Sequence, residues 1–500
     1  MKNKIRRWYV SVVVCFSLWS EDCGDGTARM LRPSILIITL YHLFIILKSG
    51  EMLTITMRKK INVRHAKMST TDTGGSHTFY ESIGSPKFIS APMVEQSALS
   101  WRLLAKSNGC DIAFSQMMHA RNFVNDIKYR NDCIDWLCYR HISGDDALER
   151  KAMELDNRLI VQLAGDDPDI LVKAAKVIED GIIQTNQKSS RASNVAAIDL
   201  NLGCPQKIAK RGNYGAYLMK NNRDLTIKCL SDLVSKIKTP ITCKIRVFDD
   251  DKDTIDFVRR LEDTGIKMIT IHGRTVLQSK LFTGQANWDI IRKCKEVLSI
   301  PVIANGGIES YSDAITCLEA TGCDGIMSSE GLLENPKLFS KFEEQKFNED
   351  YINCQFDSVD QYLAYVKSYP MPRTIINQAR SHMFKMLHRF TDCDYNSEFR
   401  KVLSEGNLEE METSFNDLKA KFSRHNNDYK YCLDNEYLSS TSWYLRHRDE
   451  SSKFRVISPR RVDRKRGVSQ STTNTTDLAE KIQNLKHKLL EKRSKQQIIK

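Results

Sequence analysis

The strongest constraint on this fold is a recurrence. Between Pro86 and Gly331, short apolar runs alternate with longer stretches of helical pattern. The runs are "KFISAPM" from Lys87, "DIAFSQM" from Asp111, "LIVQLAG" from Leu159, "VAAIDLNLG" from Val195, "ITCKIRV" from Ile241, "MITIHG" from Met268, "PVIANGG" from Pro301 and "DGIMSSE" from Asp324. Strands that are apolar along their length and separated by helices belong to a parallel sheet covered on both faces. Eight such units in roughly 250 residues predict a (β/α)8 TIM barrel in the α/β class. A doubly wound open sheet is the other arrangement of such units, and it usually needs fewer strands.

In such a barrel, chemistry sits at the carboxyl ends of the strands, and the unusual residues fall there. Gln162 closes the third run, Cys204 follows the fourth, Lys244 lies in the fifth, His272 closes the sixth, Asn305 closes the seventh, and Ser329 and Glu330 follow the eighth. A lone strand lysine is usually an ion-pair partner and a lone histidine an ordinary polar residue. Their convergence on one rim points to a site.

After Pro336 the pattern turns helical, in "SVDQYLAYVKSY" from Ser358, "TIINQARSHMFKMLHRF" from Thr374 and "NLEEMETSFNDLKAKF" from Asn407. This predicts a barrel over 86–340, a small all-helical domain over 341–425, and a basic, largely disordered tail over 426–500. The chain carries a formal charge of +13. Arg446 to Lys500 holds 16 Lys+Arg against 6 Asp+Glu, so those last 55 residues account for +10 of it. Such a tail suits an anionic partner, nucleic acid before membrane, although a solvated tail without a partner has the same composition.

Residues 1–85 read as a poorly ordered extension. "WYVSVVVCFSLW" (Trp8 to Trp19) after a basic stretch resembles a signal peptide, and "SILIITLYHLFIILK" (Ser34 to Lys48) is a second apolar run. Both fall short of the roughly 20 residues that span a bilayer. We expect a non-native upstream segment with Met57 or Met68 as the effective start; a targeting signal or an anchor are the alternatives. The 14 cysteines form no C-x-x-C pair and no zinc-like spacing, which predicts reduced thiols and no metal. The polar loop Asp180 to Asn194 is expected to have no catalytic use.

The loops after the last two runs, "ANGGI" and "SSEGLLENP", carry small residues that let backbone N–H groups approach a phosphate. Barrels tend to hold phosphates there. The pieces suit flavin mononucleotide, with Gln162 on the ring's pyrimidine edge, Lys244 and His272 along the isoalloxazine, and Pro92 and Met93 against its rim. No G-x-G-x-x-G unit follows a strand, which disfavours a Rossmann dinucleotide site. Cys204 has two readings: a buried small residue, the common fate of a free cysteine, or a general acid. Hydride addition to one end of a conjugated double bond leaves an enolate at the other. A thiol with a pKa near 8.5 can protonate it from the opposite side.

Several stretches carry a family resemblance: "APMVEQS" (Ala91 to Ser97), "VQLAGDDP" (Val161 to Pro168), "DLNLGCPQKIAKRGNYGAYLM" (Asp199 to Met219), "KIRVF", "TIHGRT", "ANGGI" and "SSEGLLENP". Together they resemble the tRNA-dihydrouridine synthases, most closely the tRNA-dihydrouridine(16/17) synthase type. The resemblance is strong over Pro86 to Phe339 and weak in "ARSHMFKMLH" (Ala379 to His388). It implies an FMN enzyme that uses NADPH or NADH to reduce the C5–C6 bond of uridine in tRNA, with Cys204 protonating C5. It places Pro92, Met93, Gln162, Lys244, His272, Asn305, Gly306, Gly307, Ser329 and Glu330 around FMN. Asn201 would help place the uracil, and Arg380, His382 and Lys385 would lie near the RNA. A monomer in the cytoplasm or nucleus, without stable membrane association, is expected. Two competing classes are a barrel flavoenzyme acting on a free small molecule, dihydroorotate dehydrogenase-like, and a non-catalytic RNA-binding barrel.

Overall fold

Nine parallel strands build the core of the computed structural model, which describes residues 74–137, 151–152, 154–180, 195–279, 283–340, 349–369 and 375–444. They are β1 (Phe88–Ser90), β2 (Ile112–Ala113), β3 (Met118–His119), β4 (Leu159–Ala164), β5 (Val195–Leu202), β6 (Ile241–Arg246), β7 (Met268–His272), β8 (Val302–Asn305) and β9 (Gly325–Ser328). Their order is β2-β1-β9-β8-β7-β6-β5-β4-β3. A parallel bridge between Phe114 and Ile160 joins the end of β2 to β4 and closes the ring. The Ser115 amide reinforces it by donating to the Ile160 carbonyl at 2.9 Å. The eight expected strands are all present, and β3 is a two-residue addition beside β4.

A helix precedes β1: α1 (Gly74–Ser82). Others follow the strands: α2 (Leu99–Ser107), α3 (Pro168–Glu179), α4 (Arg223–Lys236), α5 (Asp251–Glu262), α6 (Trp288–Val297) and α7 (Tyr311–Thr321). The last five start on side-chain caps written in the sequence. Asp167, Asn222, Asp250, Asn287 and Ser310 each accept from an amide of the first turn, satisfying donors that have no partner within the helix. In α5 the buried residues Thr254, Phe257, Val258 and Leu261 follow the i, i+3, i+4, i+7 spacing of a single stripe.

The lower barrel interior is apolar: Ile89, Ile112, Phe114, Ile160, Ala197, Met268, Ile303 and Met327 form one cluster with Phe79, Tyr80 and Ile83. The described residues begin at α1, before Pro86, and α1 and the turn after it supply apolar side chains that plug the barrel floor. The Tyr80 hydroxyl donates to the Pro86 carbonyl at 2.5 Å.

The helical region comprises α8 (Tyr351–Ser368), α9 (Ile375–Met386), α10 (Ser397–Glu405), α11 (Leu408–Ser423) and a last turn, Tyr429–Asp434. The described residues continue to Tyr444. That stretch is fixed by Glu334, at the end of the β9 loop. Its Oε2 accepts from the Ser442 hydroxyl at 2.6 Å and the Tyr444 amide at 3.0 Å, while its carbonyl accepts from Gln355 at 2.9 Å. Most of the first 85 residues, most of the loop before β5 and the basic tail after Tyr444 lie outside the described residues. Among the described residues, the cysteines are free thiols and no helix is long and apolar enough to cross a membrane.

A fully buried ion pair fixes α2: Arg102 meets Asp156 at 2.8 Å and also donates to the Ser97 carbonyl at 2.9 Å. Asp156→Ala leaves a guanidinium buried without its counter-ion and should lower stability by about 3–5 kcal/mol. Replacing both residues with apolar ones of similar volume should recover much of the loss in denaturant melts. A double variant as unstable as the single one would show that the stranded charge is not the cause.

Candidate active site

Polarity changes sharply along the barrel axis. Alternate residues of each strand face inward, and one pleat above the apolar floor these become Gln162, Asp199, Thr242 and Asn305, all buried, with half-buried Lys244 among them. At the mouth stand Asn201, Arg246 and His272. A barrel interior this polar needs internal partners, since an unpaired buried polar group is destabilising.

The partners form a directed chain. Asp199 accepts from the Thr242 hydroxyl at 2.7 Å and from Gln162 Nε2 at 2.8 Å. Gln162 Oε1 in turn accepts from Asn201 Nδ2 at 2.8 Å. Asn201 Oδ1 then accepts from the Gly203 amide at 3.1 Å and the Cys204 amide at 3.0 Å. An ionised carboxylate can only accept. Asp199 thereby sets which end of Gln162 points down and, through it, which end of Asn201 meets the cysteine loop. Burial pushes the Asp199 carboxyl up to about 6, opposed by its bonds from Gln162 and Thr242 and by Lys244.

Cys204 is half-buried beyond β5. Burial raises its thiol pKa, with Arg246 and Lys244 acting partly against this, so the sulfur holds its proton at neutral pH. Three devices fix the loop. Arg246 Nε donates to the Gly203 carbonyl at 2.9 Å. The Ala216 amide donates to the Cys204 carbonyl at 3.2 Å. Gly215 has φ +64°, and a Cβ there would lie 2.9 Å from Cys204 Cβ.

On the far side, Lys244 Nζ donates to Asn305 Oδ1 at 2.8 Å, and Asn305 Nδ2 donates to the Met327 carbonyl at 2.8 Å. Burial, reinforced by Arg246, lowers the Lys244 ammonium to about 7. The His272 ring lies 3.0 Å from Arg274 Nη1 and covers Gly306. Gly306 has φ +104°, and a Cβ there would sit 2.7 Å from His272 Cδ2. Trp288 Nε1 donates to the Gly306 carbonyl at 2.8 Å, which fixes the Gly306–Gly307 turn. Ser329 and Glu330 are half-buried at the entry to the turn Glu330–Glu334. Pro92 and Met93 are half-buried on the loop after β1, where the Met93 amide donates to Ser97 Oγ at 2.9 Å.

The barrel thus gathers Gln162, Asn201, Cys204, Lys244, His272, Asn305 and the Gly306–Gly307 turn. The three α9 residues fare differently. His382 is fully buried, stacked on Trp101 at 4.6 Å and tilted against Tyr362 at 4.9 Å, so its ring faces the core and not an RNA surface. Arg380 donates to the carbonyls of Leu403 at 2.9 Å and Gly406 at 2.8 Å, which fastens the end of α10. Lys385 alone of the three reaches toward the mouth, donating to Gln96 Oε1 at 2.8 Å. Sequence reasoning missed Asp199, Thr242, Arg246 and Arg274. The period of two through "DLNLG" and "KIRVF" places Asp199 below Asn201 and Arg246 above Lys244, and was the available signal.

Comparison with known proteins fits this site. The family model described as dihydrouridine synthase (Dus) matches residues 89–426. The chain belongs to the dihydrouridine synthase family. A tRNA-dihydrouridine(16/17) synthase [NAD(P)(+)]-like protein of Rattus norvegicus is 35% identical over 63% of this chain and 63% of its own length. The tRNA-dihydrouridine(16/17) synthase [NAD(P)(+)] of Saccharomyces cerevisiae is 34% identical over 65% of this chain and 70% of its own. The match spans less than two thirds of the rat protein and of a mouse one, of which it covers 58%.

The low Lys244 value has a thermodynamic consequence in this dihydrouridine synthase fold. Between about pH 7 and 10 the unfolded chain keeps a proton that the folded one has shed, so this group makes stability rise with pH across that window. Asp199 acts oppositely at lower pH: its raised value makes stability fall as pH climbs from its ordinary 3.8 to about 6. In thermal melts without added ligand, any advantage of Lys244→Met over the unsubstituted chain should shrink from about pH 7 to about pH 10. A gap that stays constant would contradict the burial of this ammonium.

Proposed function

We propose that this chain reduces uridine to 5,6-dihydrouridine in the D-loop of tRNA, with flavin mononucleotide as cofactor and NADPH or NADH as reductant. The observation that carries the reading is the placement of the Cys204 loop at the barrel mouth by a hydrogen-bond chain that starts inside the barrel, in a chain of the dihydrouridine synthase family.

The residues suit a flavin by their own chemistry. Among the described residues, the buried atoms Gln116 Nε2 and Thr270 Oγ1 are two of those that find no hydrogen-bond partner. Gln116 lies at the rim, where its Oε1 accepts from the Glu95 amide at 2.9 Å, and Thr270 lies one pleat below His272. Gln162, Lys244, His272 and Asn305 would border the ring system, with Pro92 and Met93 against its edge. Gly306, Gly307, Ser329 and Glu330 would hold the phosphate. When bound there, a flavin would supply the hydride chemistry for C6 of the uracil, with the nicotinamide cofactor as its reductant.

The protein's own part is positioning and proton delivery. Asn201, oriented through Gln162 by Asp199, places the uracil. As the enolate develops at C5, Cys204 gives it the Sγ proton, and the thiolate left behind is stabilised by the Arg246 guanidinium. Uridine in tRNA arrives on a polyanion, and Lys385, beside the mouth, would meet it.

Cys204→Ala should retain bound flavin and lose roughly 10²- to 10⁴-fold in dihydrouridine formation, measured by mass spectrometry of unmodified tRNA after incubation with NADPH. Full activity would remove the thiol from the mechanism. Asp199→Asn should reverse the amides of Gln162 and Asn201 and lower the rate by roughly 100-fold while FMN stays bound. An unchanged rate would show that the carboxylate does not set their direction.

A further inference from the structure

We propose that the exposed cationic turn after the cysteine, Lys207–Arg211, is a phosphate clamp that grips the RNA backbone beside the nucleotide entering the barrel mouth. The proposal rests on the RNA-reducing function above and adds to it the surface that receives the substrate's charge.

Residues 200–223 hold five Lys and Arg and no Asp or Glu. Two of the five are paired: Lys220 lies 3.9 Å from Asp249, and Arg223 lies 2.8 Å from Asp253. Lys207, Lys210 and Arg211 are exposed, and no carboxylate pairs with them among the described residues. At helical spacing i, i+3, i+4 they share one face, while Ala209, fully buried, points the other way and anchors the turn. The barrel flank behaves differently. There Lys228 and Lys236 both meet Asp232 at 3.1 Å, Arg292 meets Asp289 at 2.6 Å, and Lys293 meets Asp251 at 2.9 Å. The two rim arginines are also engaged: Arg246 holds the carbonyls of Gly203 and Thr275 at 2.9 Å, and Arg274 that of Gly284 at 3.0 Å. The rim's uncommitted charge therefore includes this turn.

The turn is also tied to the thiol it follows. The Tyr214 amide donates to the Ala209 carbonyl at 3.1 Å, and the Tyr217 hydroxyl donates to the Pro205 carbonyl at 3.2 Å. A phosphate held on this face is held in register with Cys204. Between the cations stands Ile208, 54% exposed, and the loops after β1 and β7 present Val94 and Leu277 at 50% and 52%. Lys210 Nζ also lies 6.0 Å from the Tyr217 ring centroid, and exposed aliphatics beside cations without a carboxylate partner offer contact to ribose and base edges as well as to phosphate.

The test uses full-length holoprotein and unmodified tRNA, with affinity measured between about 50 and 200 mM salt. Phosphate contacts release counterions, and three contacts to a single-stranded loop should add roughly two units to the slope of log K against log salt. The triple variant Lys207→Gln/Lys210→Gln/Arg211→Gln keeps the stems and removes the charge. It should lose those two units, so that the unsubstituted protein's affinity falls roughly 16-fold more than the variant's across this range. Each single exchange should remove about a third of the effect. The control Lys173→Gln/Lys176→Gln, on the exposed flank of α3, should leave the slope unchanged.

An unaltered slope in the triple variant, or an equal loss in the control, would overturn the clamp while leaving the reductase reading intact. So would capture of phosphatidylserine vesicles at salt concentrations where tRNA no longer binds. If the unsubstituted protein forms no dihydrouridine at all, the functional reading itself fails.

Discussion

The site depends on one acceptor-only group in the middle of a barrel. Asp199 is fully buried, and its two oxygens take a hydroxyl and an amide N–H. Because a carboxylate cannot donate, each amide above it has a single direction, and that direction ends on the backbone N–H groups of the cysteine loop. A side-chain amide alone could be turned either way; the charge below removes the choice. Burying that charge disfavours folding at neutral pH, a common trade at sites that must hold a fixed geometry.

The same economy governs the positive charges. Lys244 is held low by burial and bonded to Asn305, so its proton is available for exchange near neutrality. Arg246 and Arg274 brace loops. Glu334 links the last barrel loop to the C-terminal strand of chain around Ser442 and Tyr444, and the Lys385–Gln96 bond joins α9 to the loop after β1. The barrel and helical region therefore share contacts at the mouth.

Much of this was legible in the sequence because strand period and chain order are local. The apolar runs gave the strands, and His272 and Asn305 stand at strand ends as their order suggests, whereas Gln162 lies inside β4, which runs on to Ala164, and below the mouth. What was not legible depended on distant partners. His382 sits at a spacing that suits an exposed basic face, yet Trp101 of α2 and Tyr362 of α8 enclose its ring. Nothing near it in sequence announces this. Phe79, Tyr80 and Ile83 are too few to show a period, and only the barrel floor explains their burial. Asp199 was passed over because a charged residue in a strand ordinarily reads as outward-facing, whereas a TIM barrel with a polar upper interior reverses that expectation. The placement of Ser442 and Tyr444 follows from Glu334, a residue that reads as ordinary loop.

In the reaction we propose, uracil lies between a bound flavin on one face and the Cys204 sulfur on the other, and the stereochemistry of the product reports that arrangement. With NADPH as reductant in deuterated water, where the N5 hydrogen of a reduced flavin exchanges with solvent, dihydrouridine should carry deuterium at C5 and at C6 on opposite faces of the ring. Deuterium on the same face, or spread over both, would contradict a thiol facing the flavin across the base.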